Sequence, residues 1–204
     1  MLKEFFDTDK ISLKIGRILS KLPISPNQWT LISLIPAIIG FIFAIYKNAF
    51  YSFLSFAIAG ILDGIDGGVA RFKGKVTNFG AFLDGSIDRI VDFLLIFSFL
   101  FFELPSKIFS FNYWVVIGAY FCLMPTFEVA YADHRKAVND PEEKKIWRIL
   151  HRTEMYPLFC LSLLLIEFSK DLASWLFIIT TVLSIITTIQ TIILTYIKSK
   201  RENA

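Results

Sequence analysis

Charge is scarce in this chain of 204 residues: only 19% are Asp, Glu, Lys or Arg, against about a quarter in a soluble domain. Cysteine is scarcer still. Cys122 and Cys160 are the only two and both lie in apolar stretches, which excludes a disulfide scaffold and leaves the redox compartment open. Ten glycines and seven prolines are too few for collagen-like or low-complexity sequence. The net charge is a modest +3, and no Lys/Arg block is interleaved with exposed aromatics, which argues against nucleic acid as a partner. What fills the chain is 55% apolar residues, with 22 Phe among them, and a mean hydropathy of +0.59. Disorder is excluded and the balance is shifted toward lipid.

A spanning helix needs about 20 mainly apolar residues. Six runs qualify or nearly so: Trp29 to Tyr46, Phe50 to Ala70, Phe79 to Phe102, Trp114 to Tyr131, Met155 to Phe168 and Leu172 to Ile197. The fifth is short and needs its neighbours, or a tilted or interfacial placement, to count as a span. The expected fold is all-α: one polytopic membrane domain over residues 1–204, with a six-helix bundle over 26–197 and a tail over 198–204. The first run begins near residue 29, so no signal peptide is expected.

Orientation follows from the basic residues, which collect in cytoplasmic loops. Of the 21 Lys and Arg residues, 18 lie on one side: before the first run, between the second and third, between the fourth and fifth, or after the sixth, with Arg89 just inside the third run. Only Lys47, Lys107 and Lys170 fall on the other side. Both termini are therefore expected in the cytoplasm. Ahead of the first run, Ile11, Ile15, Ile18, Leu19 and Leu22 recur at helical spacing, with Lys10, Lys14, Arg17 and Lys21 on the other face. This reads as an interfacial amphipathic helix within residues 1–25, broken by Pro23 and Pro26. It either anchors the fold or shapes lipid access.

Acidic residues cluster where a bilayer tolerates them least. Asp63 and Asp66 are three apart and Asp84 and Asp88 four apart, so each pair shares a helix face. The loop between the second and third runs is short, so those helices should be antiparallel neighbours whose carboxylates converge. One intramembrane carboxylate costs on the order of 3 kcal/mol, so four unpaired ones cost about 10. Arg71 and Arg89 offset part of that. Four carboxylates with no His or Cys nearby suit a hard divalent cation, and two Mg2+ ions would form the clamp used in displacement at phosphorus. Gly60, Gly64, Gly67, Gly68 and Ala70 give the second run a small-residue surface, for helix packing or for a ligand close to backbone.

This stretch resembles the CDP-alcohol phosphotransferase (CDP-alcohol phosphatidyltransferase) family. Its signature, D-x2-D-G-x2-A-R-x8-G-x3-D-x3-D, is filled by Asp63, Asp66, Gly67, Ala70, Arg71, Gly80, Asp84 and Asp88. Eight fixed positions match by chance at a given start with probability on the order of 10^-10. The resemblance implies phospholipid biosynthesis: a substituted phosphate passes from a CDP-linked donor to an alcohol hydroxyl and CMP leaves. By position it implies Asp63, Asp66, Asp84 and Asp88 as ligands of Mg2+ or Mn2+, with Asp88 also the general base. Gly67, Ala70, Arg71 and Gly80 would hold the donor. Pro26, Asn27 and Thr30 match a Pro-Asn-x-x-Thr run that the family places near the nucleotide, so Asn27 and Thr30 join the donor site; alternatively they mark a helix start with Asn27 as its cap. A homodimer is also implied, with the active site on the cytoplasmic side of the cell membrane.

The resemblance is nearest to synthases that use inositol phosphate or glycerol phosphate. The donor would then be CDP-diacylglycerol or a CDP-archaeol. The segment leading into the first run also looks like members that join CDP-inositol to inositol phosphate in di-myo-inositol phosphate phosphate synthesis. Inositol-phosphate members end the fourth span in a Tyr-x-Arg-Ala-Arg-Ala-Glu pattern; here Tyr131 and Arg135 are kept, but Asp133 and Ala137 replace the other Arg and the Glu. Arg135 and Arg152, nearest the membrane ends of their loop, are candidates to grip the acceptor's phosphate. Lys144, Lys145 and Arg148 read as ordinary positive-inside charge, and His134 and His151 as solvated. Glu128, an isolated acid in the fourth run, could meet a substrate hydroxyl or a buried Arg. A divalent-cation channel or transporter is the competing class, but all four motif acids sit in one half of the chain, without the inverted repeat expected there.

Overall fold

The computed structural model describes residues 22–74, 76–138 and 148–202, without the side chains of Asp66, Arg201 and Glu202. The expected interfacial helix, Lys144 and Lys145 lie outside the described residues. Among those described the chain is helical, with a lone β-bridge between Lys107 and Phe109. It divides into two compact units, one ending at Phe102 and the other starting at Glu103.

The first unit holds α1 (Pro26–Ile45), α2 (Ala49–Phe72) and α3 (Asn78–Ser98), the last continuing into a 3-10 turn, Phe99–Phe101. The second holds α4 (Phe111–His134), α5 (Arg152–Leu165) and α6 (Lys170–Glu202). Each helix covers one of the six apolar runs. Four of them, α1, α2, α4 and α6, are long and apolar enough to cross a membrane. Asp84, Asp88, Arg89 and Asp92 interrupt α3. The 14 residues of α5 reach only about 21 Å, short of the roughly 30 Å hydrocarbon core.

Local chemistry sets the ends of these helices. Ser25 caps α1: its hydroxyl accepts from the Gln28 amide at 3.3 Å, and the Ser25 amide donates to Gln28 Oε1 at 2.7 Å. The cap is thus Ser25 and not Asn27, because Pro26 at the first helical position starts the helix two residues earlier than a cap at Asn27 would. Asn48 and Thr77 cap α2 and α3. Between α2 and α3 the chain turns through Gly74, whose φ of +60° suits glycine.

The short connection between α2 and α3 does not make them packing partners. Instead, α1 packs along both, and α2 and α3 have little close contact with each other. A small-residue stripe lets α1 do this: Thr30, Ser33, Ala37, Gly40 and Ala44 recur every three or four residues and are buried. Leu31, Ile35, Ile38, Ile42 and Ile45 face outward. Such a helix suits lipid, where close packing of small residues drives association and large aliphatic side chains have no reason to turn inward. At Gly40 an added Cβ would sit 3.0 Å from Phe56 Cδ2 and 3.1 Å from Ser55 Cβ. Phe41 meets Phe97 and Phe101 of the α3 side, with ring centroids 6.0 and 5.5 Å away.

In the second unit, α6 packs against both α4 and α5 through another small stripe, with Ser174, Thr180, Thr181, Ser184, Thr187, Thr188 and Thr191 buried. The hydroxyls of Thr180, Ser184, Thr187, Thr188 and Thr191 each return to the carbonyl four residues back at 2.8–3.0 Å. Those side chains are therefore satisfied within their own helix and serve as compact packing groups. Gly118 of α4 meets this face, where an added Cβ would lie 3.0 Å from Thr181 Oγ1.

Replacing Gly40 tests the α1–α2 contact. Gly40→Leu should destabilise the folded protein by about 1–3 kcal/mol, the usual cost of overpacking, read as a lower thermal-unfolding midpoint in detergent. An unchanged midpoint would show that α1 does not approach α2 this closely.

Candidate active site

The first unit brings Asp63 of α2 together with Asp84 and Asp88 of α3. One carboxylate oxygen from each lies within 4.8 Å of the other two, and all three side chains are partly buried. The helical steps explain the convergence: Asp84 and Asp88 are one turn apart on α3, and the separation of α2 from α3 leaves room for their acids. Asp66 lies on α2 one turn beyond Asp63. Three like charges this close repel strongly at low dielectric, so the cluster calls for a cation. An all-carboxylate set, without His or Cys, fits hard divalent ions such as Mg2+ or Mn2+.

Beside the cluster lies a cavity of about 470 Å3. Asn27, Thr30, Gly67, Ala70, Arg71 and Gly80, the full set of donor-site candidates, line it, and so does Asp84. Asp84 thereby belongs both to the cavity wall and to the carboxylate cluster. Freed from capping, Asn27 points its Oδ1 toward α3, 3.2 Å from where a Cβ on Gly80 would stand. Thr77 Oγ1, which accepts from the Gly80 amide at 3.0 Å, lies 3.0 Å from the same point. A side chain at 80 would therefore displace Asn27 or break the cap of α3. On α2, a Cβ on Gly67 would stand 3.4 Å from Arg71 Nη1, in ordinary van der Waals contact, so the guanidinium lies alongside Gly67.

Three contributors went unremarked in the sequence. Val76, Thr77 and Ala81 also line the cavity, and Thr77 caps α3 as well. Lys73, past the end of α2, donates from Nζ to the carbonyl of Ile24 at 2.9 Å and approaches that of Leu22 at 3.4 Å. It fixes the segment that leads into Asn27 and Thr30.

Arg135 and Arg152 belong to the second unit. The Arg135 Nε donates to the Tyr131 hydroxyl at 3.0 Å and its guanidinium lies 5.4 Å from that ring's centroid. Arg152 stands 5.5 Å from the ring centroid of Tyr156. Arg148 is no exposed topology marker: it is only 4% exposed, and its Nη1 donates to the Pro125 carbonyl at 3.3 Å. Its charge acts on Glu128, whose carboxylate oxygens are shielded from solvent. The isolated acid of α4 thus lies within the electrostatic reach of a buried Arg, which itself bonds α4 at the Pro125 carbonyl.

Comparison with known proteins bears on this geometry. The family model for CDP-alcohol phosphatidyltransferase matches residues 23–186. An archaetidylinositol phosphate synthase of Pyrococcus horikoshii is 37% identical over 84 residues, covering 41% of this chain and 45% of the relative. A bifunctional IPC transferase and DIPP synthase of Aquifex aeolicus is 27% identical over 198 residues, covering 95% of this chain and 43% of the relative. The chain thus spans about half the length of these curated relatives. The fold is that of the phosphatidylinositol phosphate synthase of Mycobacterium tuberculosis solved with CDP-DAG bound, at a TM-score of 0.70 and 21% identity over 92% of this chain and 94% of that one. The same mycobacterial protein has been solved with manganese and citrate.

The cluster predicts metal binding that needs no substrate. Purified protein should bind Mn2+ measurably by electron paramagnetic resonance, and Asp84→Asn should weaken that binding at least about 10-fold, since even an outer partner of a metal ligand is worth that much. Equal affinity in the variant would dissolve the cluster as a metal centre.

Proposed function

The chain belongs to the CDP-alcohol phosphatidyltransferase family, and on that premise we propose that it transfers a substituted phosphate from a CDP-linked donor to an alcohol and releases CMP. The observation that carries this reading is the shared position of Asp84, in the wall of a cavity formed by the family's donor-site residues and in the carboxylate cluster at once. A donor seated there has its diphosphate beside the acids. It is the geometry that phosphoryl transfer asks of a protein, since the reaction depends on positioning and charge neutralisation more than on covalent help.

In this reading Asp63, Asp66, Asp84 and Asp88 hold two divalent ions, Mg2+ or Mn2+. When bound, such ions neutralise the charge that develops on the phosphate and leaving-group oxygens. The rest is the work of side chains. Gly67 and Ala70 admit the CMP moiety close to the α2 backbone, and Arg71 bonds its phosphate oxygens. Asn27, Thr30 and Gly80 form the opposite wall. Asp88, one turn deeper than Asp84, takes the proton of the attacking hydroxyl.

The acceptor is an inositol phosphate, gripped at its phosphate by Arg135 and Arg152. The name of the Pyrococcus relative supports that acceptor. The donor is a CDP-lipid, of CDP-diacylglycerol or CDP-archaeol type. A second reading, with CDP-inositol as donor, is supported by the Aquifex protein, whose similarity runs along 95% of this chain. In the membrane, all six helices span, with α3 carrying its acids against α1 and α2 and α5 tilted or extended by its neighbours. The chain forms one domain and a homodimer. Both termini and the site face the cytoplasm, with the N-terminal amphipathic helix in the interface.

The test is CMP release by purified protein given each donor with a panel of alcohols. Turnover should require Mg2+ or Mn2+ and be strongest with inositol phosphate; failure of every pair would overturn the reading. Asp88→Asn should lower kcat by about 10^2 to 10^4, the contribution of a positioned general base, while donor binding persists. Normal turnover in that variant would remove Asp88 from the role. Arg135→Glu should raise KM for the phosphorylated acceptor and not for the donor, and an unmoved acceptor KM would release Arg135 from the site.

A further inference from the structure

Arg89 and Asp92 lie outside the eight-residue signature, yet both sit within a turn of Asp88. Asp92 is a buried acid, 6% exposed, deeper in α3 than the cluster. One nitrogen of Arg89, Nη2, stands 3.5 Å from Asp88 Oδ2, and the other, Nη1, stands 3.6 Å from Asp92 Oδ2. Both separations exceed the 2.7–2.9 Å of a fully formed charge-assisted bond. The guanidinium is shared between two acids one turn apart.

We propose that Asp92 is a positioning residue that holds Arg89 back from Asp88, so that the Asp88 carboxylate stays available to a divalent cation and to the acceptor's proton. The proposal rests on the assignment of Asp88 made above. The physical reason is competition. In an apolar surrounding, a guanidinium facing one carboxylate closes into a bidentate pair and occupies both oxygens. A second carboxylate on the far side of the guanidinium draws it away. The i, i+3 spacing of Arg89 and Asp92 keeps them on one helix face, and the buried acid is compensated by the same contact. Arg89 also offsets repulsion within the cluster while leaving Asp88 exposed to the ions.

Loss of the Asp92 charge should therefore disable Asp88 through Arg89. In full-length purified protein, Asp92→Asn should weaken Mn2+ binding, measured by electron paramagnetic resonance, by about 10-fold to 100-fold. It should lower kcat by a similar factor, with donor KM within about twofold. Asp92→Glu should largely restore both. The double variant Arg89→Gln/Asp92→Asn removes the competing cation and should recover Mn2+ affinity to near the wild-type value, which a merely structural Asp92 would not allow. Wild-type affinity in Asp92→Asn, or a double variant that binds as weakly as the single one, would overturn the proposal. If Asp92→Asn does not accumulate folded, Arg89→Gln decides. With no guanidinium to restrain, it should bind Mn2+ at least as tightly as wild type, and weaker binding overturns the idea. If the wild type itself neither binds Mn2+ nor releases CMP, the fault lies with the assignment of the site and not with Asp92.

Discussion

Three carboxylates within 4.8 Å of one another, in a body whose outer face is aliphatic, impose the constraint that the first unit answers. Their mutual repulsion favours separation, so the backbone must hold them and a cation must reward the holding. The spacer is α1. By packing along both α2 and α3 it keeps the two acid-bearing helices from closing on each other. The groove that remains holds the cavity, which is lined from all three helices. The stripe of Thr30, Ser33, Ala37, Gly40 and Ala44 therefore serves the chemistry although only Thr30 touches the cavity.

The second unit meets the same requirement of close packing by a different route. Its central helix, α6, buries hydroxyls in place of glycines and satisfies those of Thr180, Ser184 and Thr188 on its own carbonyls. Buried charge ties sequence-distant segments together at Arg148, which reaches the Pro125 carbonyl and acts on Glu128. Breaking such a contact costs more than making it contributes, because the charge left behind has no water. A single arginine thereby fixes the approach to α5.

Much of this was legible before any coordinates, for a physical reason. The six helices follow from apolar runs, and the donor wall and acid cluster follow from residues whose spacing matches helical turns. What escaped was contact between elements distant in sequence. Nothing local marks Arg148 as buried among the basic residues of its loop. The α1 stripe was also missed, because its small residues show no apolar periodicity to the eye, only a periodicity of size. Asn27 had two readings, donor-site residue by resemblance or helix cap, and the Ser25–Gln28 capping pair together with its place in the cavity wall decides for the first. The α2–α3 loop suggested direct packing, and only the position of α1 explains why it is absent.

The signature itself can be read as geometry. In α2 the steps from Asp63 to Gly67 and from Gly67 to Arg71 are four residues, with Asp66 and Ala70 a further turn apart in register. In α3 the steps from Gly80 to Asp84 and on to Asp88 are also four. With a rise of about 1.5 Å per residue, Asp84 lies about 9 Å and Asp88 about 15 Å inside the start of α3, while Asp63 lies about 14 Å from the end of α2. The acids therefore meet at one depth, reached from the loop end past Val76, Thr77 and Gly80. Each fixed gap within a helix keeps a residue on the cavity face. The eight-residue gap between Arg71 and Gly80 is the exception, because it crosses the loop and must set the register of α3 against α2. That register is supported where the loop begins and ends: Lys73 is bonded to the carbonyl of Ile24 ahead of α1, and Thr77 caps α3 on the amide of Gly80. A change of one residue in this gap would turn the face of α3 by about 100°, carrying Asp84 and Asp88 away from Asp63 while leaving every helix intact.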